Sequence, residues 1–152
     1  MQTWRGEGFC PSLQEERVPQ KITTSSKSLV EAAKRQIEEI PAAEAVKLAG
    51  RDDVVLVDIR DPRELERDGK VPGAFHMTRG MLEFWIDPDS VYFKPIFGED
   101  KKFVFFCAGG MRSVLATKTA QDMGLKPVAH IVGGFKAWKE AGGPVEPGKG
   151  SK

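Results

Sequence analysis

Short apolar runs alternate with amphipathic stretches along most of this chain. Val54-Val55-Leu56-Val57 and Phe103-Val104-Phe105-Phe106 are continuous and rich in β-branched or aromatic residues, the pattern of strands buried on both faces. Residues 128–132 read as a third strand, and Gly73-Ala74-Phe75-His76-Met77 as a turn into a short fourth. Between them lie helical patterns. Ser28-Leu29-Val30-Glu31 has capping-box spacing, and Leu29, Ala33 and Ile37 recur on one helical face. Ile40 precedes Pro41, which disfavours helix at Ile40, and Pro41 opens a second helix that stops at Gly50. Asp61-Pro62-Arg63-Glu64 supplies an N-cap, a proline at N1 and an acid at N3, for a helix stopping near Gly69. Residues 79–86 read as helical and 87–100 as irregular. Residues 113–123 form a helix with Gly124 as its stop, and Phe135, Trp138 and Ala141 mark a last helix before Gly142-Gly143-Pro144.

Strands alternating with helices predict an α/β sandwich around a mostly parallel sheet. The pattern fails at both ends. Residues 1–26 carry Gly, Pro, Ser, Thr and charge without a period and are expected to be a mobile arm. Residues 145–152 read as a disordered tail, which leaves 27–144 as the folded domain.

Composition narrows the function classes. The 152 residues suit one domain, and a net charge of +1 gives no reason to expect nucleic acid as a partner. No stretch approaches the roughly 20 apolar residues of a membrane span, and the N-terminus lacks a signal-peptide core, so a cytoplasmic protein is expected. Two distant cysteines, Cys10 and Cys107, make a disulfide framework unexpected. With His76 and His130 they form no metal-ligand spacing. Residues 143–149 fit the spacing G-x-x-x-x-G-K, but no strand precedes them and Gly150 stands where Ser or Thr is needed, so no phosphate loop is read there.

The chemistry concentrates at Cys107. It ends the apolar run of 103–106 and opens the turn Ala108-Gly109-Gly110-Met111-Arg112-Ser113, after which a helix begins. Glycines at 109 and 110 let the backbone aim successive N–H groups inward, and the helix start and Arg112 add positive charge. Such a position favours thiolate, the reactive form of the thiol. The competing reading is a small apolar residue closing a core strand, the usual fate of a free cysteine. Asp58-Ile59-Arg60 lies at the carboxyl end of another predicted strand, where open α/β sheets bind ligands.

Four segments together resemble the single-domain rhodaneses. They are Val55-Leu56-Val57-Asp58-Ile59-Arg60-Asp61-Pro62-Arg63-Glu64-Leu65, Gly69-Lys70-Val71-Pro72-Gly73-Ala74, Phe105-Phe106-Cys107-Ala108-Gly109-Gly110-Met111-Arg112-Ser113 and Gly133-Gly134-Phe135-Lys136-Ala137-Trp138. The resemblance covers roughly residues 38–142 and implies a three-layer sandwich whose five-stranded, mostly parallel sheet is flanked by helices. It also implies a sulfurtransferase without a cofactor. Cys107 would take sulfane sulfur from thiosulfate, a persulfide or a similar donor and pass it to cyanide, a thiol or a protein partner. The backbone of Ala108, Gly109, Gly110, Met111, Arg112 and Ser113 would cradle the sulfur.

Only four residues separate Cys107 from Arg112, whereas the phosphatase and arsenate reductase relatives have five; the shorter loop favours sulfur. A non-catalytic docking module is a further alternative, although such modules often lack the cysteine. Asp58 and Arg60 are expected to pair and support the loops, with attraction of an anionic donor as a second role for Arg60. Some members carry a second arginine where this chain has Glu64, and some have an extra basic residue in the loop. Both departures count against thiosulfate as the natural donor. His76 and His130 read as satisfied structural histidines. The apolar stretch 79–97 is open to three readings: core, a lid beside Cys107, or a homodimer contact.

Overall fold

In the computed structural model, residues 20–148 are described. The chain forms α1 (Ser26–Lys34), β1 (Glu38–Ile40), α2 (Ala42–Leu48), β2 (Val54–Asp58), α3 (Pro62–Asp68), β3 (Phe75–His76), α4 (Leu82–Ile86), β4 (Lys102–Phe106), α5 (Arg112–Asp122), β5 (Val128–Ile131) and α6 (Gly134–Glu140). Single 3-10 turns at Arg79–Met81 and Pro95–Gly98 bracket the irregular crossover after β3. The five strands form one sheet in the order β1-β5-β4-β2-β3, and every named pair is parallel.

Strand alternation divides the core in two. Val55, Val57, Phe103, Phe105 and Val128 face α4 and α5, where Leu82, Ile86, Ala116 and Ala120 meet them. Leu56, Val104, Phe106, Ala129 and Ile131 face α2 and α6, against Ala42, Ala45, Phe135 and Trp138. This is the expected three-layer sandwich. A third, smaller cluster packs Val30 and Ala33 of α1 on Val114, so α1 covers α5 and lies outside the main layers.

Several local expectations are corrected. The N-cap of α1 is Ser25, whose hydroxyl accepts from the Ser28 N–H, so Ser28-Leu29-Val30-Glu31 is not the cap. The earlier start puts Val30 and Ala33 on the buried face and leaves Leu29 half exposed. The helix stops at Lys34, and 38–40 form the edge strand β1, which the pattern did not reveal. Pro41 is the N-cap of α2, not its first residue. The tail was expected to begin at 145, yet Lys70 and Glu146 exchange both backbone hydrogen bonds, at 2.9 and 2.8 Å. The arm as far as residue 19, with Cys10, and residues 149–152 lie outside the described residues. Among the described residues no helix is long and apolar enough to cross a membrane.

The crossover 79–97 mostly feeds the core. Leu82, Ile86 and Phe97 are buried, and Phe75 stacks edge-on against Trp85 and Phe97. Phe84, Val91 and Tyr92 remain exposed.

Candidate active site

Cys107 follows the last residue of β4, the strand between β2 and β5, so the loop 107–112 opens at the carboxyl edge in the middle of the sheet. The thiol is buried, at 1% exposure. The Gly110 N–H donates to Sγ at 3.1 Å, and Sγ donates to Ser113 Oγ at 3.6 Å. Gly110 and Ser113 are therefore the inner wall. Gly109, Met111 and Arg112 form the exposed rim, and Ala108 lies between. α5 begins at Arg112 with its N-terminal end toward this bowl.

A second pair of glycines holds the loop's shape. The N–H of Phe135 donates to Cys107 O at 2.7 Å, and that of Lys136 to Ala108 O at 3.1 Å. Gly134, just before these donors, has φ +62°, and a Cβ there would lie 2.4 Å from Cys107 O. Gly110, at φ +103°, packs on Gly133, whose backbone nitrogen would be 2.9 Å from an added Cβ. Only glycine satisfies both the left-handed backbone and the close approach at these two positions. The sequence motif 133–138 thus has a mechanical meaning: the start of α6 clamps the carbonyl side of the active loop while its N–H side faces the sulfur.

Two carboxylate–arginine pairs flank the bowl. Arg60 is wholly buried and grips Asp58 through Nε (2.9 Å) and Nη2 (2.7 Å). Its Nη2 also donates to Gly69 O at 2.9 Å, and its guanidinium lies 4.1 Å over the Phe135 ring. Arg60 is thus sealed from solvent, with its Nη1 left without a hydrogen-bond partner.

Arg112 is exposed and makes a two-pronged bond to Glu64, at 2.9 and 3.0 Å. Glu64 at the same time completes the α3 capping box by accepting from the Asp61 N–H. The Arg112 hydrogen bond holds the Glu64 carboxyl below its usual range, and the bond to Glu64 raises Arg112, with lesser contributions from Cys107. Arg112 therefore brings to the rim a charge that Glu64 largely answers.

A groove of 570 Å³ runs along α1 and α5 to the rim, lined by Lys27, Val30, Lys34, Met111, Arg112 and Leu115 among others. On the other side of Arg112 a smaller cleft is lined by Asp61, Arg63, Glu64 and Arg67.

The histidines separate. His76 Nε2 bonds the Arg60 carbonyl at 2.7 Å, a structural contact. His130 is tied to Ser113 Oγ through Nδ1 at 3.0 Å and to Glu39 through Nε2 at 2.8 Å. The sequence reading did not connect Glu39, Ser113 and His130. The available signal was His130 inside an otherwise apolar strand, since a buried imidazole needs partners. Among the described residues no group of three or more His, Cys, Asp or Glu side chains is placed to hold a metal ion.

A family model for the rhodanese-like domain matches residues 41–141. The chain belongs to the rhodanese-like family. Its relatives include a mouse thiosulfate sulfurtransferase/rhodanese-like domain-containing protein, 30% identical over 100 residues. That match takes in 62% of this chain and 64% of the mouse protein, so the chain spans less than two thirds of that relative. A solved structure from Rhodopseudomonas palustris, described as a protein of unknown function and possible tyrosine phosphatase, is 66% identical. It matches with a TM-score of 0.83 over 86% of this chain and all of that one. The polysulfide-sulfur transferase homodimer of Wolinella succinogenes is 32% identical, with a TM-score of 0.61 over 80% of this chain and 86% of its own. The fold of this rhodanese-like domain is as the family resemblance implied.

Proposed function

We propose that this rhodanese-like domain is a sulfurtransferase that carries sulfane sulfur as a persulfide on Cys107. The observation that carries the reading is the Cys107 Sγ seated on the Gly110 N–H within a loop that has only four residues between Cys107 and Arg112. Attack by the thiolate on a sulfane donor forms the Cys107 S–S bond and breaks the donor's S–S bond. The outer sulfur then leaves to an acceptor nucleophile. The N–H groups of the loop, from Ala108 to Ser113, are the cradle for the terminal sulfur as negative charge develops on it.

The donor favoured is a low-molecular-weight or protein persulfide rather than thiosulfate. Glu64 neutralises Arg112 at the rim, and Arg60, buried, offers no second cation to a divalent anion. The groove along α1, apolar at Val30, Leu115 and Met111 with Lys27 and Lys34 beside them, suits an organic thiol or persulfide bearing a carboxylate. The words "possible tyrosine phosphatase" belong to the R. palustris protein; here the short loop argues for sulfur.

The test is mass spectrometry after treatment with glutathione persulfide, thiosulfate and mercaptopyruvate. The expected product is the protein plus one sulfur, absent in Cys107→Ser. No added sulfur from any donor, or turnover of an aryl phosphate instead, would reverse the reading. We assign the exposed Phe84, Val91 and Tyr92 to a homodimer contact, in line with the homodimeric W. succinogenes relative. A monomer by sedimentation at high concentration removes that assignment.

A further inference from the structure

The buried histidine of β5 lies on a continuous hydrogen-bonded line to the thiol. In the sheet register His130 stands directly between Glu39 of β1 and Phe105 of β4. Strand alternation turns its ring to the face covered by α5, where Ser113 meets it. The resulting line is Cys107 Sγ to Ser113 Oγ (3.6 Å), Ser113 Oγ to His130 Nδ1 (3.0 Å), and His130 Nε2 to Glu39 Oε2 (2.8 Å). Cys107, Ser113 and His130 are each at most 1% exposed, whereas the Glu39 side chain is 32% exposed. The line therefore runs from a thiol that scarcely touches water to a carboxyl that does.

Its hydrogen-bond directions are fixed from the outer end. A carboxylate only accepts, so Nε2 carries the hydrogen and donates to Glu39, and Nδ1 of the neutral ring is left as an acceptor. The Ser113 O–H must then point to Nδ1, which leaves its oxygen lone pairs to accept from the Cys107 S–H. All three bonds are satisfied by one arrangement, and that arrangement is the one needed to remove the thiol proton.

We infer that Ser113, His130 and Glu39 form the proton exit of Cys107, with His130 the positioning base that draws the thiol proton through the serine hydroxyl. The S–H bond breaks as its proton passes to Ser113 Oγ, and the Ser113 O–H proton passes to Nδ1. The products are a thiolate, an unchanged hydroxyl and an imidazolium against Glu39. Loss of the Nε2 proton through Glu39 to water leaves the neutral ring with its hydrogen on Nδ1; the line resets when that proton returns through Ser113 to the thiolate freed at the end of the cycle and Nε2 regains a proton from water through Glu39. No oxidant or co-reactant enters.

The surroundings suit this task. Burial lowers the pKa of His130 below the ordinary histidine range, although Glu39 opposes the shift; Lys34, at the end of α1, reinforces it. The ring is thus neutral at neutral pH, with Nδ1 open to accept, and Glu39 offsets part of the cost that burial puts on the imidazolium formed. Phe105 supplies only apolar surface from β4.

The inference takes Cys107 as the nucleophile of the proposed reaction, but its test needs no sulfur donor. Alkylation of Cys107 by iodoacetamide, followed by mass spectrometry in a Cys10→Ser background, reads thiolate availability directly. His130→Asn retains a side chain able to bond Ser113 but cannot hold the proton. It should slow alkylation at pH 7 on the order of 100-fold, with the deficit closing as hydroxide ionises the thiol at high pH. Glu39→Gln should show a smaller deficit of the same pH shape, and it alters only the exposed end of the line. An equal deficit at every pH, the mark of a structural role, would overturn the proposal, as would unchanged rates in both variants. Nitrogen-15 NMR of wild-type protein gives a reading independent of variants: the Nε2–H tautomer of His130 is expected, and Nδ1–H contradicts it. Failure of persulfide formation with intact pH-dependent alkylation would count against the sulfurtransferase reading alone.

Discussion

Asp58–Arg60 and Glu64–Arg112 are the same chemistry in two settings. Both are two-pronged carboxylate–guanidinium pairs near the active loop, and their shortest contacts are 2.7 and 2.9 Å. In the first, the arginine and aspartate side chains are 0% and 2% exposed; in the second, the arginine and glutamate side chains are 45% and 16% exposed. Burial decides what each can do. Neither member of the inner pair can leave without stranding a charge in the core, so that pair is fixed framework. Water screens the outer pair and can replace either partner, so it can open for a ligand. Burial thus separates two arginines that were both candidates for contact with the donor: one is sealed in the core and the other is open to solvent.

The largest expected effect is on the inner pair. Asp58→Ala should cost about 3–5 kcal/mol in urea unfolding, since Arg60 keeps its buried charge without a counter-charge. A loss below about 1 kcal/mol would erase the distinction between the pairs.

The outer pair should respond in reactivity. Glu64→Gln should destabilise by about 1 kcal/mol or less and speed thiosulfate-driven persulfide formation about three- to tenfold at low salt, because Arg112 then faces the anion unopposed. An unchanged or slower reaction would show that Glu64 does not govern the rim.

The smallest effect is the acid response of the same pair. The folded-state pKa of Glu64 lies below its ordinary value of 4.5, chiefly through the Arg112 hydrogen bond. Its stabilising contribution is therefore fully present above 4.5 and is lost as pH falls through the lower folded-state value. The stability difference between wild type and Glu64→Gln should be level above 4.5 and shrink as pH falls from there through the folded-state value. Urea curves across an acid series measure this, and a difference that grows on acidification contradicts it.

The sequence was most legible where local chemistry and tertiary structure agree. Asp61-Pro62-Arg63-Glu64 predicts its own helix start, and the capping box is present as read. The runs ending at Asp58 and Phe106 form strands buried on both faces, the pattern of consecutive apolar residues in a central parallel strand. Local signals failed where partners decide. Three serines near 25–28 offer alternative caps, and packing of α1 on α5 selects the register with Val30 and Ala33 inward. β1 is three residues long at the sheet edge, with two glutamates and only Ile40 buried, so it carries almost no strand pattern.

The site divides in the same way. Cys107, its glycines and Ser113 are contiguous and could be read directly. The Glu39–His130 contact spans 91 residues and depends on β1 pairing with β5. Glu64 could be assigned to its helix cap, but nothing local shows that it also reaches Arg112, 48 residues away.

The clamp at Gly134 bears on how such a loop could be redesigned. Phe135 and Lys136 engage two successive carbonyls, and Gly110 rests on Gly133 without room for a methyl group. An extra residue between Cys107 and Arg112 would have to bulge outward at Gly109 or Met111, or else unseat α6. A change of cargo to a larger oxyanion therefore requires compensating substitutions at two places far apart in the chain, and lengthening the loop by itself should produce a folded but misaligned site.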